Sequence, residues 1–378
     1  MSIQSNSYPL IYFSFFTCSL VFSFLINGIF LKFARTLGIR NTDSETIIRW
    51  STQSKPALGG LTFYITFLLA ITCYSIFFDP NQFFLSKQFV GFLLACTLAF
   101  LVGLADDAYD TRPFLKFIAQ LSCGIILIVS GIEIHLSSYY LINYLITLFW
   151  VVGIMNSVNM LDNMDAITSV VAINIILSAM VLIYFQYNYQ NNIHFIVLIG
   201  ILAALSGFLF FNWHPSKMFM GDTGSQFLGI FLAAIGIIYF WNAQGTTMHV
   251  FSNSDSTEVI LYPRSGLRTI IIPILVFIMP ITDTSIVVIN RLMKGHSPFI
   301  GGKDHTTHCL AHLGFSDRQV ALIISGVSFI SVVLLIVIFK LIKYWSDLHS
   351  FIFISYVALV FAAFFSITKI KPPATSNT

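Results

Sequence analysis

Apolar runs long enough to cross a bilayer recur along this chain from one end to the other, and no other feature limits its fold so sharply. About 20 residues of helix span roughly 30 Å of hydrocarbon. Eleven such runs can be read, near residues 10–31, 58–78, 88–105, 114–132, 139–157, 167–185, 194–212, 224–241, 269–290, 320–342 and 350–368. Of the 378 residues, 57% are hydrophobic and only 9% charged, a balance that cannot coat a water-soluble surface. The expected fold is therefore all-α: a polytopic integral membrane protein with about eleven transmembrane helices. It forms one helical domain over residues 1–370, followed by a disordered tail, 371–378. The first run is longer and more aromatic than a signal-peptide core and no small-residue cleavage site follows it, so it reads as a retained helix.

Lys and Arg placement sets the orientation. With the N-terminus outside, only Lys87, Arg264, Arg268, Lys340 and Lys343 of the 19 basic residues fall on the outer side, which leaves fourteen (19 minus five) on inner loops and flanks. The C-terminus is then cytoplasmic, and the inner loops lie near 32–57, 106–113, 158–166, 213–223 and 291–319. Eleven of the 16 acidic residues also fall on this inner face, although acidic residues contribute little to that sorting rule. A shared acid-rich face calls for a reason beyond topology. The five cysteines (Cys18, Cys73, Cys96, Cys123, Cys309) show no paired or metal-ligand spacing. The net charge of +3 is too small to argue for a nucleic-acid partner. The outer stretch 242–268 carries no interpretable motif.

Four inner segments hold the chemistry-bearing side chains. Most loop carboxylates serve solubility, so the ones to explain sit at helix ends beside apolar residues. Asp106 and Asp107 are adjacent where the bilayer gives way to water, and a divalent cation or a bound cationic group would relieve their repulsion. Lys116 and Gln120 follow at the start of the next helix, and a cation near an acidic pair suits a phosphate held beside a metal. In the second segment Asn156, Asn159, Asp162 and Asp165 stand three residues apart. A step of three turns an α-helix by roughly 300°, so these four cannot share a narrow face. A 3₁₀ turn would align them, and a helix that ends midway would place Asp162 and Asp165 on a loop. In each case they line a polar cavity, because none faces lipid cheaply.

The third segment sets Gly221 and Gly224 around Asp222, immediately before an apolar run. A helix N-terminus there suits phosphate, with Asp222 as a metal ligand; a simple N-cap by Asp222 or Thr223 is the plainer reading. In the fourth, Lys303 and Asp304 precede His305, His308 and His312, whose spacing of three and four allows one helical face. Phosphate contacts account for Lys303 as well as the histidines, whereas zinc accounts only for the histidines. Upstream, Asp283 lies inside an apolar run about two turns before Arg291, and an intramembrane carboxylate is a functional candidate on that ground.

Taken in this order, the segments resemble the polyprenyl-phosphate N-acetylhexosamine-1-phosphate transferases, a membrane family that begins lipid-linked cell-envelope polymers. The resemblance runs from about Arg49 to Val320 and rests on five blocks: Ser54–Gly60, Leu104–Asp107 with Lys116 and Gln120, Asn156–Ala166, Phe219–Ser225 and Asp304–His308. It implies transfer of a sugar 1-phosphate from a UDP-N-acetylhexosamine to a polyprenyl phosphate with release of UMP. The setting it implies is the cytoplasmic face of a bacterial inner membrane, with Mg²⁺ or Mn²⁺, and it leaves a homodimer open. It also implies roles. Asp222 would bind the metal with Asp106 and Asp107 near the same ion, and Asp106 would be the base. Lys116 would hold lipid or sugar phosphate. Asn156, Asn159, Asp162 and Asp165 would contact the nucleotide or shape its pocket, and Lys303, His305 and His308 would bind diphosphate.

The chain departs from the family pattern at Asn163 and Ala166, where Gly usually follows each aspartate, at Thr307, often His, and at Cys309, often Arg. The adjacent histidines and the loop of the muramoyl-pentapeptide branch are not evident, which favours UDP-N-acetylglucosamine or a related donor. A polytopic secondary transporter is the rival reading. It would place polar residues at mid-membrane and carry an internal repeat, whereas here polar groups crowd one face and no repeat is evident.

Overall fold

The computed structural model describes residues 7–37, 55–78, 86–187, 189–190, 192–242, 248–249, 259–260, 266–297, 302 and 304–370. Among them run helices α1 (Tyr8–Leu37), α2 (Gly59–Phe77), α3 (Lys87–Tyr109), α4 (Pro113–Val129), α5 (Tyr140–Leu161), α6 (Ile167–Gln186), α7 (Ile193–Asn212) and α8 (Gly221–Ile235). After them come α9 (Gly266–Val276), α10 (Ile278–Met293), α11 (Thr306–His312), α12 (Asp317–Ile336) and α13 (Asp347–Ile367). Wider turns extend α8 through Trp241 and α12 through Leu341. Two two-residue strands, β1 (Met248–His249) and β2 (Val259–Ile260), pair antiparallel between α8 and α9. Arg40, Arg49, Ser54, Lys303 and the 371–378 tail lie outside the described residues.

The protein is an all-α polytopic membrane protein, but eleven full-length spans are not what forms. Among the described residues nine helices are long and apolar enough to cross a membrane, and α9 with α10 makes a tenth span only if a bend of 84° is allowed. Pro273 inside α9 and Pro280 in the first turn of α10 remove backbone donors on either side of that bend, a recognised cause of kinking. The remaining run is α4, which has 17 residues and so reaches about 25 Å. Pro113 fixes its start, and the chain turns away at Gly131, whose φ is +83°.

At the centre stands α8. Its most apolar stretch is 94% buried, against 17% for α1 and 22% for α13, so α8 is enclosed by protein while α1 and α13 face lipid. It packs against α2, α3, α5 and α6. Two contacts are backbone on backbone: a Cβ at Gly60 would lie 2.2 Å from the Gly224 nitrogen, and one at Gly103 would lie 2.4 Å from the Asp222 carbonyl oxygen. Small residues of this kind let helices approach closely in a membrane. The start of α2 is fastened to the start of α8, because Phe219 N donates to Pro56 O (3.0 Å) and Gly60 N to Met220 O (3.0 Å). The same few residues bring the polar ends of α2, α3, α5 and α8 together.

The stretch with polar residues three apart is a helix that ends midway. Asn156 and Asn159 lie on α5, Asp162 follows its last residue, and Asp165 sits in the turn before α6. Ala166 closes that turn at φ 67° and donates its N–H to Asn212 Oδ1 (3.1 Å). The left-handed region costs a non-glycine residue roughly 1 kcal/mol, which is why glycine suits this position. Here the methyl is buried, so Ala166→Gly is expected to be nearly neutral: relief of strain is offset by lost burial and by roughly 0.5–1 kcal/mol of added chain freedom. Ala166→Val, β-branched in the same conformation, is expected to cost about 2 kcal/mol. Melting curves in detergent check both values.

Candidate active site

The site is assembled on the first turn of α8. Gly221 takes φ +73°, which brings Asp222 and Thr223 round to meet α3. Asp107 of α3 accepts hydrogen bonds from Asp222 N (2.9 Å), Thr223 N (2.8 Å) and Thr223 Oγ1 (2.6 Å). The cap of α8 is therefore neither Asp222 nor Thr223, as the sequence suggested, but a carboxylate from another helix. It satisfies two of the free N–H groups that would otherwise receive a phosphate. Both Asp107 oxygens are committed to the protein.

Asp106 points a different way, since successive helical residues are about 100° apart. It accepts from Thr111 N (3.0 Å) and Thr111 Oγ1, and its Oδ2 lies 2.6 Å from Lys116 Nζ. The same ammonium is 3.4 Å from Asp222 Oδ1. Asn159 Nδ2 donates to Asp222 and to Ser225 Oγ (2.8 Å). Asp106, Lys116, Asn159 and Asp222, drawn from four helices, thus share one cluster.

Asp162 faces this cluster from the end of α5, and among the described residues its carboxyl accepts no hydrogen bond. It lies deep yet keeps part of its area accessible. Burial first, and then Asp222, Asp107 and Asp165, push it up to about 8. In the unfolded chain the same group titrates near about 3.9, so between these values the folded protein binds a proton that the unfolded chain does not. This group's support for folding is full below about pH 4 and declines as pH rises towards 8. In EDTA, the melting temperature of the wild type is expected to fall more steeply between about pH 6 and 8 than that of Asp162→Asn. Parallel curves would contradict the assignment.

The other sequence candidates have structural partners. Asn156 exchanges amide hydrogen bonds with Gln120 (2.8 and 3.2 Å), and Gln120 also donates to Gln226 Oε1 (3.1 Å), which ties α5 and α8 to α4 below the cluster. Asp165 accepts from Ser216 N (2.9 Å) and Ser216 Oγ (2.6 Å) and meets His214 Nδ1 at 3.0 Å. It thereby pins the loop that leads into α8. Lys55, part of the Ser54–Gly60 block but given no role from it, bonds Ser216 Oγ (2.9 Å) beside Asp165.

The histidine segment closes another wall. His305 precedes α11 rather than lying on it, its ring centroid is 5.5 Å from that of His308, and His312 is exposed. The three histidines therefore do not share one helical face, and among the described residues no three His, Cys, Asp or Glu side chains are set to hold a metal ion. Burial and the neighbouring His305 bring His308 down to about 4, so its ring is neutral at pH 7. Two departures from the family pattern turn out to be partners: Thr307 Oγ1 donates to Asn163 Oδ1 (2.8 Å), and Asn163 Nδ2 donates to Met160 O (2.9 Å). This bond fastens α11 to the turn that carries Asp162.

Residues 89–240 match the model of glycosyl transferase family 4. The chain is 25% identical over 92% of its length to 88% of a probable undecaprenyl-phosphate N-acetylglucosaminyl 1-phosphate transferase of Bacillus subtilis (strain 168). It is 26% identical, over 71% of its length, to 69% of a decaprenyl-phosphate N-acetylglucosaminephosphotransferase of Mycobacterium leprae (strain TN). A phospho-N-acetylmuramoyl-pentapeptide-transferase of Streptococcus uberis (strain ATCC BAA-854 / 0140J) is 31% identical over 58% of this chain and 70% of its own. The matched segment contains Asp106, Lys116, Asn159 and Asp222, the residues that the fold gathers around the start of α8, and the chain belongs to glycosyl transferase family 4.

Proposed function

We propose that this protein transfers N-acetylhexosamine 1-phosphate, with N-acetylglucosamine 1-phosphate as the preferred group, from a UDP-sugar to a polyprenyl phosphate and releases UMP. The observation that carries this reading is the cluster in which Lys116 Nζ stands 2.6 Å from Asp106 and 3.4 Å from Asp222, with Asp162 facing it. Carboxylates outnumber cations there, although both substrates are anions, so the site requires further positive charge. Its carboxylates offer only oxygens, the set that suits Mg²⁺ or Mn²⁺; Asp222 and Asp106 would hold the ion, with Asp162 at its edge. When bound, the ion offsets the charge on the diphosphate and on departing UMP.

In the reaction an oxygen of the lipid phosphate attacks the β-phosphorus of the UDP-sugar. A new diphosphate bond forms, the bond between the α- and β-phosphates breaks, and UMP leaves with the electron pair. The attacking phosphate has a second pKa of about 6 and is mostly ionised at pH 7. Asp106 therefore serves to position Lys116 and the ion more than to remove a proton. Lys116 contacts a phosphate, Asn159 holds the Asp222 carboxylate in place, and His305 with His308 meets the diphosphate. The names of the B. subtilis and M. leprae relatives support the lipid phosphate acceptor and the N-acetylglucosamine donor. The basic-residue count supports a cytoplasmic site, and the bacterial relatives support an inner membrane. Purified protein in detergent with undecaprenyl phosphate, Mg²⁺ and a panel of UDP-sugars is expected to release UMP with a UDP-N-acetylhexosamine. Absence of UMP with every such donor would overturn the reading.

A further inference from the structure

Asp283 is a buried carboxylate to which the reaction above gives no part. It lies on α10 with no exposed surface, and both its oxygens are spent on two successive residues of the histidine segment. Oδ2 is 2.8 Å from His305 Nδ1, and Oδ1 accepts from Thr306 N (2.8 Å) and Thr306 Oγ1 (2.7 Å). Two turns further along the same helix, Arg291 grips the preceding residue: Nε and Nη2 donate to the two oxygens of Asp304 at 2.8 and 2.6 Å. One helical arm, set at 84° to α9, therefore holds residues 304–306 one after another. Burying a carboxylate is costly even when it is well paired, and packing alone would be met by an apolar residue.

We propose that Asp283 is the positioning residue of the histidine segment, fixing the His305 ring with Nδ1–H towards α10 so that Nε2 is the edge presented to the diphosphate of the nucleotide sugar. An ionised carboxylate only accepts hydrogen bonds, so the nitrogen beside it must carry a proton, and the tautomer of the neutral ring is set. Among the described residues Nε2 has no protein partner, and the atom keeps some exposed surface. The bond between Thr307 and Asn163 keeps this segment against the turn bearing Asp162. When the ring takes a second proton, Nε2–H becomes a charge-assisted donor to a phosphate oxygen, with the Asp283 carboxylate balancing the charge.

The inference rests on the transferase reading, and its test separates the two. In the UMP-release assay, Asp283→Asn is expected to raise the KM for the nucleotide sugar by about 10- to 100-fold, the scale seen when a carboxylate behind a metal-bound histidine is removed, with a much smaller change in kcat. Adding Asp283→Asn to His305→Ala is expected to cost little beyond His305→Ala alone. An unchanged KM in the folded variant, or losses that multiply in the double variant, would overturn the role. Should Asp283→Asn fail to fold, or the wild type release no UMP, imidazole-¹⁵N NMR of the wild type still decides. The His305 signals, assigned by their loss in His305→Gln, are expected to show a proton on Nδ1; a neutral ring protonated only at Nε2 would overturn the proposal.

Discussion

Asp222→Asn is expected to lower turnover by at least about 10³-fold while leaving the protein folded. The carboxylate is the convergence point of Lys116 and Asn159, and in the proposed reaction it stands where charge must be balanced as UMP departs. Losing several kcal/mol of that stabilisation translates to three or more powers of ten. The fold is spared for identifiable reasons. The amide keeps an oxygen for Asn159, Lys116 keeps Asp106, and the backbone N–H of residue 222 still reaches Asp107. Turnover measured beside a melting curve distinguishes the two effects, and near-normal turnover would remove Asp222 from the centre of the site.

Gly103→Ala is expected to cost about 10²-fold in kcat/KM without altering any polar group. A Cβ there would lie 2.4 Å from the Asp222 carbonyl oxygen and 2.7 Å from Thr223 Cα. These are backbone atoms that cannot swing aside, so the first turn of α8 has to move. A displacement of about 1 Å in a catalytic group can cost 10²-fold, and overpacking adds about 1–3 kcal/mol of destabilisation. Gly153→Ala on α5 is the control, because a Cβ there meets nothing within 4 Å, and its activity is expected to stay at the wild-type level. Equal activities for the two variants would show that α8 is not held by this contact.

Helix positions were legible in the sequence because each span is a long apolar run, and the residues that converge were legible because each block ends such a run on the same face. What the sequence concealed was the choice of partner. Asp106 and Asp107 look like a pair for one ion, yet adjacent helical residues diverge by about 100°, and only the packing of α3 on α8 shows that Asp107 caps the neighbouring helix. Asn156 has the same spacing as Asn159, but one α-helical turn deeper it meets Gln120 instead of Asp222. His312 matches the histidine spacing and is nevertheless exposed, because α11 begins only after His305. Asn163 and Thr307 looked like two unrelated departures from a pattern, since nothing in a linear chain announces a hydrogen bond between residues 144 positions apart. The break between α9 and α10 was signalled only by Pro273 and Pro280, residues that many unbroken membrane helices also carry.

Mass spectrometry of the lipid after incubation with undecaprenyl phosphate, Mg²⁺ and UDP-N-acetylglucosamine tests the central claim most directly. The account predicts a lipid heavier by one N-acetylhexosamine phosphate, formed in step with UMP and absent with Asp222→Asn. An unchanged lipid beside consumed nucleotide sugar, or a lipid gaining sugar without the second phosphate, would contradict it.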